Sequence, residues 1–236
     1  MREATGAARN QLLARLSLET LTRLAPHLEH VRLVAAQPLH EPGRSPSSVY
    51  FPAAGIVSLQ YVMQDGASAE IAQVGNDGVV GVALFMGGES TPSRAVVRAA
   101  GEAWRLSARR LKDEFNRHGE LQILLLRYTQ ALLTQMAQTA VCNRHHNIEQ
   151  QLCRCLLLSL DRTSGATLAL TQETIAQLLG VRREGVSQVA GKLQREGVLR
   201  YARGRIAVLD RQRLESLSCE CYRVVRTETE RLAALE

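Results

Sequence analysis

Five side chains within seven consecutive residues, Arg182, Arg183, Glu184, Ser187 and Gln188, carry groups suited to reading a nucleic acid. Guanidinium, carboxylate, hydroxyl and carboxamide groups are the donors and acceptors that match base edges and phosphates. They lie in LTQETIAQLLGVRREGVSQVAGKLQREGVL, residues Leu170 to Leu199, which Gly180 divides in two. Before Gly180, Ile175, Leu178 and Leu179 recur at helical spacing, Thr171 stands where a hydroxyl caps a helix, and Glu173 places a negative charge in the first turn. After it, Val186, Val189 and Leu193 fall on one helical face and leave Arg183, Glu184, Ser187 and Gln188 on the other. Two short helices joined by a tight turn, the second with a polar outward face, form a helix-turn-helix signature. Thr171 and Gln172, at the start of the first helix, join the expected contact set. Downstream, VLRYARGRIAVLD reads as a hairpin with Arg203, Gly204 and Arg205 at its tip, a wing able to lay cations on phosphates.

Other chemistry is thinly supplied. Cys142, His146 and Glu149 lie three or four residues apart and would share a helical face, which is metal-ligand spacing of a kind. The pairs Cys153/Cys155 and Cys219/Cys221 point to different faces, because residues two apart on a helix diverge. We read these thiols as buried small apolar groups and expect no metal site. No nucleophile with a neighbouring base and no phosphate-binding glycine loop occurs, so an enzyme is not expected.

The elements that position the readers follow from periodicity. Residues 1 to 29 read as one or two short helices, broken at Pro26. From Val31 to Leu106 short apolar runs alternate with turn residues, and six candidate strands result: 49–51, 56–63, 69–74, 79–85, 94–100 and 103–106. Asp65-Gly66 between two such runs is a strong hairpin signal, and repeated hairpins predict a sandwich or small barrel. Ser107 caps a predicted short helix through Phe115. A long helix is predicted from Glu120 to about Arg144, with Leu121, Leu125, Tyr128, Leu132, Gln135 and Thr139 at alternating spacings of four and three. That seam fits either a second copy of the chain or the chain's own β-domain, and a parallel dimer is the expectation. A helix from Asn147 to Leu160 and a closing helix from Arg211 to Leu235 complete the reading.

Composition points the same way. Hydrophobic residues are 45% and charged residues 22% of the 236, which suits a folded chain. The net charge is +6, and residues 161 to 213 hold ten basic and five acidic side chains, so the excess sits at the helix-turn-helix and favours a polyanionic partner. No apolar run approaches a membrane span, and the first residues lack the apolar core of a signal peptide, so a cytoplasmic location without membrane contact is expected. Five cysteines in a reducing compartment do not suggest a disulfide framework.

In this order the chain resembles the Crp/Fnr family of transcription regulators, from about residue 28 to residue 214. VYFPAAGIVSL, VGNDGVVG and TIAQLLGVRREGVSQVAGKLQREGVL carry the resemblance. It implies an α+β fold: a β-roll of cyclic-nucleotide-binding type in residues 1–118, a dimerisation helix in 119–146 and a winged helix-turn-helix domain with a C-terminal helix in 147–236. It also implies a homodimer on a near-palindromic double-stranded DNA operator and, for an activator, RNA polymerase as a partner. Arg183-Glu184-Gly185-Val186-Ser187-Gln188 matches the family's base-reading run, with Arg183 suited to guanine and Glu184 to the cytosine amino group. Gln188 stands where many members have a second arginine, and Arg182 where a capping serine is common.

The sensor departs from the family pattern. Where nucleotide-binding members place a glutamate after glycine, this chain has Val82 after Gly81, and where they place the phosphate-binding arginine it has Ser93, followed by Arg94. An apolar side chain cannot accept the ribose hydroxyl, and a one-residue shift along a strand turns Arg94 to the other face. Gly81, Val82, Ser93 and Arg94 are therefore the effector-pocket candidates, with cyclic AMP binding of the usual kind not expected. No cysteine precedes Cys142, so no iron-sulfur cluster of the oxygen-sensing branch is expected either.

Overall fold

The computed structural model describes residues 6–163 and 165–234. Near the start, Asn10 and Ser17 cap α1 (Gln11–Ala14) and α2 (Leu18–Leu24) through their side-chain oxygens. Pro26 falls in a single 3-10 turn after α2. Asn10 is fully buried, and its amide donates to the carbonyls of Pro52 and Gly78, which ties these helices onto the β-domain.

Strands β1 (Glu29–Leu33), β2 (Pro38–His40), β3 (Ser48–Val62), β4 (Ser68–Val74) and β5 (Arg94–Ser107) form an antiparallel sheet in the order β1-β5-β3-β4, with β2 also on β5. The expected breaks at Gly55 and Gly101 are kinks inside two long strands. Gly55 has φ +88°, and a Cβ on Gly101 would fall 2.1 Å from the Ala54 carbonyl oxygen, so the paired strands bulge past one another only because both residues lack a side chain. The expected strand at 79–85 does not form. Val80 makes one bridge to Tyr50, and Gly81, at φ +110°, turns the chain into a 3-10 turn at Val82–Leu84. β1 and β2 were not among the expected strands; they are short edge segments with weak alternation. The Asp65-Gly66 hairpin forms, with Asp65 accepting from the Ala67 amide.

Ser107 caps α3 (Ala108–Phe115), and the long helix α4 runs over Glu120–His145. Asn147 and Gln150 then build a capping box that stops α4 and starts α5 (Ile148–Leu160). The C-terminal part follows as β6 (Thr167–Ala169), α6 (Gln172–Leu179), α7 (Arg183–Arg195), β7 (Leu199–Ala202), β8 (Arg205–Val208), α8 (Arg211–Leu217) and α9 (Glu220–Ala233), with a small sheet in the order β6-β8-β7. The expected single closing helix is two, broken at Ser218 and Cys219, and its expected end at residue 235 lies outside the described residues.

The face of α4 assigned to a dimer faces inward. Leu121 and Leu125 pack with Phe51, Leu106 and Leu111, Leu132 packs with Val57, Leu59 and Val97, and Tyr128 joins both clusters. Thr139 is buried, and Gln135 exchanges two hydrogen bonds with the Gln73 backbone, accepting from its amide and donating to its carbonyl, each at 3.1 Å. Leu121, Leu125, Tyr128, Leu132 and Gln135 thus hold α4 on its own β-domain, and Thr139 accepts from Arg154 of α5, so this face is taken up within the chain. A second core, from Leu152, Leu156, Ile175, Leu179, Val186, Leu193, Ile206 and Leu214, unites α5 to α8.

Buried polar contacts join the two parts. Arg98 pairs with Glu70 at 3.3 Å and donates to Gln73 and to Ser159 on α5. Arg162 pairs with Asp77 at 2.8 Å.

Candidate DNA interface and sensor cavity

The outward face of α7 is set by what its inward face must bury. Val186 and Leu193 are fully enclosed, Val189 packs beside them, and a Cβ on Gly185 would fall 2.7 Å from Ile148 Cδ1, so glycine there brings α7 close to α5. Arg182, Arg183, Glu184 and Gln188 are exposed in consequence, and none of the three charged ones forms an ion pair among the described residues. Gly180 ends α6 in the left-handed conformation at φ +66°, with its amide returned to Ala176 and Gln177. Arg182 is the N-cap residue of α7 and gives no side-chain cap, so its guanidinium and the first amides of the helix stay free for an anion. Thr171 caps α6 by accepting from the Thr174 amide at 3.0 Å. Gln172 is tied down: its carboxamide oxygen accepts from Ser187 Oγ at 2.6 Å, and its backbone amide donates to the Tyr201 hydroxyl. Gln172 and Ser187 thus brace α6 against α7, half-buried, while the four neighbours project.

The wing stands beside this face. β7 and β8 pair in register from Leu199 with Val208 to Ala202 with Arg205, and the tip residues Arg203 and Gly204 both have positive φ, +49° and +73°, as a type I′ turn requires. A Cβ on Gly204 would meet Thr171 Cγ2 at 3.4 Å, so the tip adjoins the start of α6. Arg203 and Arg205 are exposed and, among the described residues, in no ion pair. The nine candidates are therefore gathered on one side of the C-terminal part.

The effector candidates divide. Gly81, Val82 and Ser93 line a cavity of about 670 Å³ between the β-domain and α4, together with Leu59, Ile71, Met86 and Met136. Arg94 does not line it; its guanidinium turns to Glu41, at 3.0 Å. No lysine or arginine is among the lining residues, and the one carboxylate, Glu70, is held by Arg98. His40 also lines the cavity. Burial pushes its imidazole below the usual value, and its Nε2 has no hydrogen-bond partner among the described residues. Sequence reasoning missed His40, because a lone histidine on a short edge strand carries no pattern.

Also missed was the exposed face of α4. Ile123, Leu126 and Leu133 are about half exposed, at 48%, 47% and 58%. With Gln130, Ala137, Ala140 and Arg144 they continue at alternating spacings of three and four, all exposed. Leu133 and Ala140 border the cavity as well.

A β-domain with a cavity against a long helix that leads to a winged helix-turn-helix defines a DNA-binding transcription regulator with an effector domain. The cyclic nucleotide-binding domain family matches residues 30–118 and the Crp-like helix-turn-helix domain family matches residues 150–217, about two-thirds of the chain together. The chain belongs to the Crp/Fnr family, whose members are transcription regulators and not enzymes. Among solved structures it is similar to FixK2 from Bradyrhizobium japonicum (TM-score 0.68, 19% identity, 81% of this chain and 98% of that one). It is also similar to the c-di-GMP responsive global regulator CLP from Xanthomonas campestris (0.65, 20%, 81% and 99%) and to a CRP/FNR-family transcriptional regulator from Thermus thermophilus (0.62, 24%, 80% and 98%). No curated protein sequence matches. No helix among the described residues is long and apolar enough to cross a membrane.

Proposed function

We propose that the chain works as a homodimer that binds a near-palindromic operator in the cytoplasm, reading bases with Arg183, Glu184 and Gln188 and gripping phosphates with Arg182, Arg203 and Arg205. The observation that carries this reading is the exposed group of side chains at the start of α7, free of ion pairs among the described residues and flanked by the wing tip. Arg183 offers guanine a two-pronged contact, and Glu184 accepts from a cytosine amino group. Gln188 suits adenine, so the half-site differs from one read by arginine at that position. Arg183→Ala should weaken binding to the selected operator by about 1 to 3 kcal/mol and relax one base position, measured by anisotropy titrations against single-base operator variants. Equal weakening on operator and random DNA would assign Arg183 to phosphate alone.

The second copy would lie on the stripe from Ile123 to Arg144, since half-exposed leucine and isoleucine at heptad spacing on a soluble helix favour a partner helix. Because Leu133 and Ala140 belong to both stripe and cavity, an effector would be felt where the two copies meet. The cavity supports an uncharged, largely apolar effector: a cyclic nucleotide or other anion would find no cation in its lining, and the unpartnered His40 Nε2 supplies one polar contact. Activation would need contact with RNA polymerase as well.

A further inference from the structure

Where α4 ends and α9 begins, three thiols and an imidazole converge. Cys142 lies in the last turn of α4 and His146 is its C-cap, while Cys219 is the N-cap of α9 and Cys221 its second residue. Their ligand atoms all lie within 4.8 Å of one another. Cys142 Sγ is 3.5 Å from Cys219 Sγ, and Cys221 Sγ is 3.6 Å from His146 Nδ1. A tetrahedral zinc ion with bonds of about 2.0 to 2.3 Å separates its ligand atoms by roughly 3.3 to 3.8 Å. The three thiols also form a small buried cluster of their own, with no large apolar side chain among them, which is a poor way to fill a core.

Two charged neighbours adjoin the cluster. His146 turns its other nitrogen, Nε2, to the Glu220 carboxylate at 3.3 Å, an arrangement that fixes the ring with Nδ1 as the free acceptor. Arg154 is 4% exposed, donates to Thr139 Oγ1, leaves its Nε without a partner, and forms no ion pair among the described residues. Its partner Thr139 stands one turn before Cys142 on α4. A buried arginine without a counterion is costly. Three thiolates, a neutral histidine and a divalent cation sum to one negative charge, which is the counterion Arg154 lacks.

We propose that Cys142, His146, Cys219 and Cys221 bind one Zn²⁺ per chain. Binding displaces three thiol protons to solvent, and with four protein donors the tetrahedron is closed, so the ion is structural. It staples the end of the long helix to the C-terminal helix, directly beside the bend at His146 and Asn147. Glu149, the acid expected from spacing to share a face with Cys142 and His146, belongs instead to an ion pair with Lys192 at 2.6 Å.

The test uses the full chain purified under reducing, anaerobic conditions. Elemental analysis should find one zinc per chain, released in step with titration of the thiols by an organomercurial. Replacement by Co²⁺ should give the intense visible bands of a tetrahedral site and a near-ultraviolet thiolate charge-transfer band. Cys142→Ser and Cys219→Ser should each lose those bands, while Cys153→Ser, a buried thiol outside the cluster, should keep them. The wild-type spectrum stands even where a serine variant fails to fold. A wild-type chain that takes up neither zinc nor tetrahedral Co²⁺, or one whose resting form in the presence of zinc carries a Cys142–Cys219 disulfide, would overturn the proposal.

Discussion

Arg203 holds a left-handed backbone conformation that disfavours most side chains, and the wing keeps it there because Gly204 beside it completes the two-residue turn. The turn sends Arg203 and Arg205 outward from the tip, in no ion pair among the described residues. Phosphate contacts carry no sequence information, so Arg203→Ala and Arg205→Ala should each lower affinity equally for operator and random DNA and reduce the slope of log K against log salt by about one. Titrations across a salt series measure this, and an unchanged slope would remove the wing from the interface. The outward set on α7 was legible in the sequence because apolar spacing at Val186 and Leu193 fixes which residues cannot be inside. The bracing of Ser187 by Gln172 was not, since it depends on how two helices meet. Arg94 illustrates a local rule that carried through: shifted by one residue along β5, it faces away from the cavity.

Helix α4 carries two heptad seams, and the spacing rule selects both. The more apolar one, through Leu121, Leu125 and Leu132, is the one the chain buries against its own sheet. The more polar one, through Ile123, Leu126, Gln130 and Leu133, stays outside. The richer face goes to the internal core, and periodicity alone does not say which of two seams a chain buries within itself. Leu133→Glu should therefore yield a folded monomer, seen by sedimentation velocity with an unchanged circular dichroism melt. Leu132→Glu should instead destabilise the β-domain, because an unpaired carboxylate would enter a buried apolar cluster. A Leu133→Glu variant that stays dimeric would move the second copy to another surface. Strand boundaries failed for a related reason: glycine marks both a turn and a bulge, and only the pairing of β3 with β5 tells which.

Over the whole molecule, the C-terminal part is seated on the β-domain by the buried Arg162–Asp77 ion pair and by Arg98, which pairs with Glu70 inside the β-domain and donates to Ser159 on α5. Removing one partner of such a pair leaves a buried charge and costs about 3 to 5 kcal/mol, so this seating is specific. Neither pair was legible from sequence, being 28 and 85 residues apart. The broad architecture was, because it rests on long periodic segments, charge asymmetry and turn residues that act locally. In the dimer proposed above, two such chains present two α7 helices to successive major grooves. Selection of bound fragments from a random DNA pool by the purified protein tests it most directly. The account predicts one enriched motif, an inverted repeat with half-site centres about one helical turn apart. Enrichment of a lone half-site, of direct repeats, or of no sequence at all would contradict it.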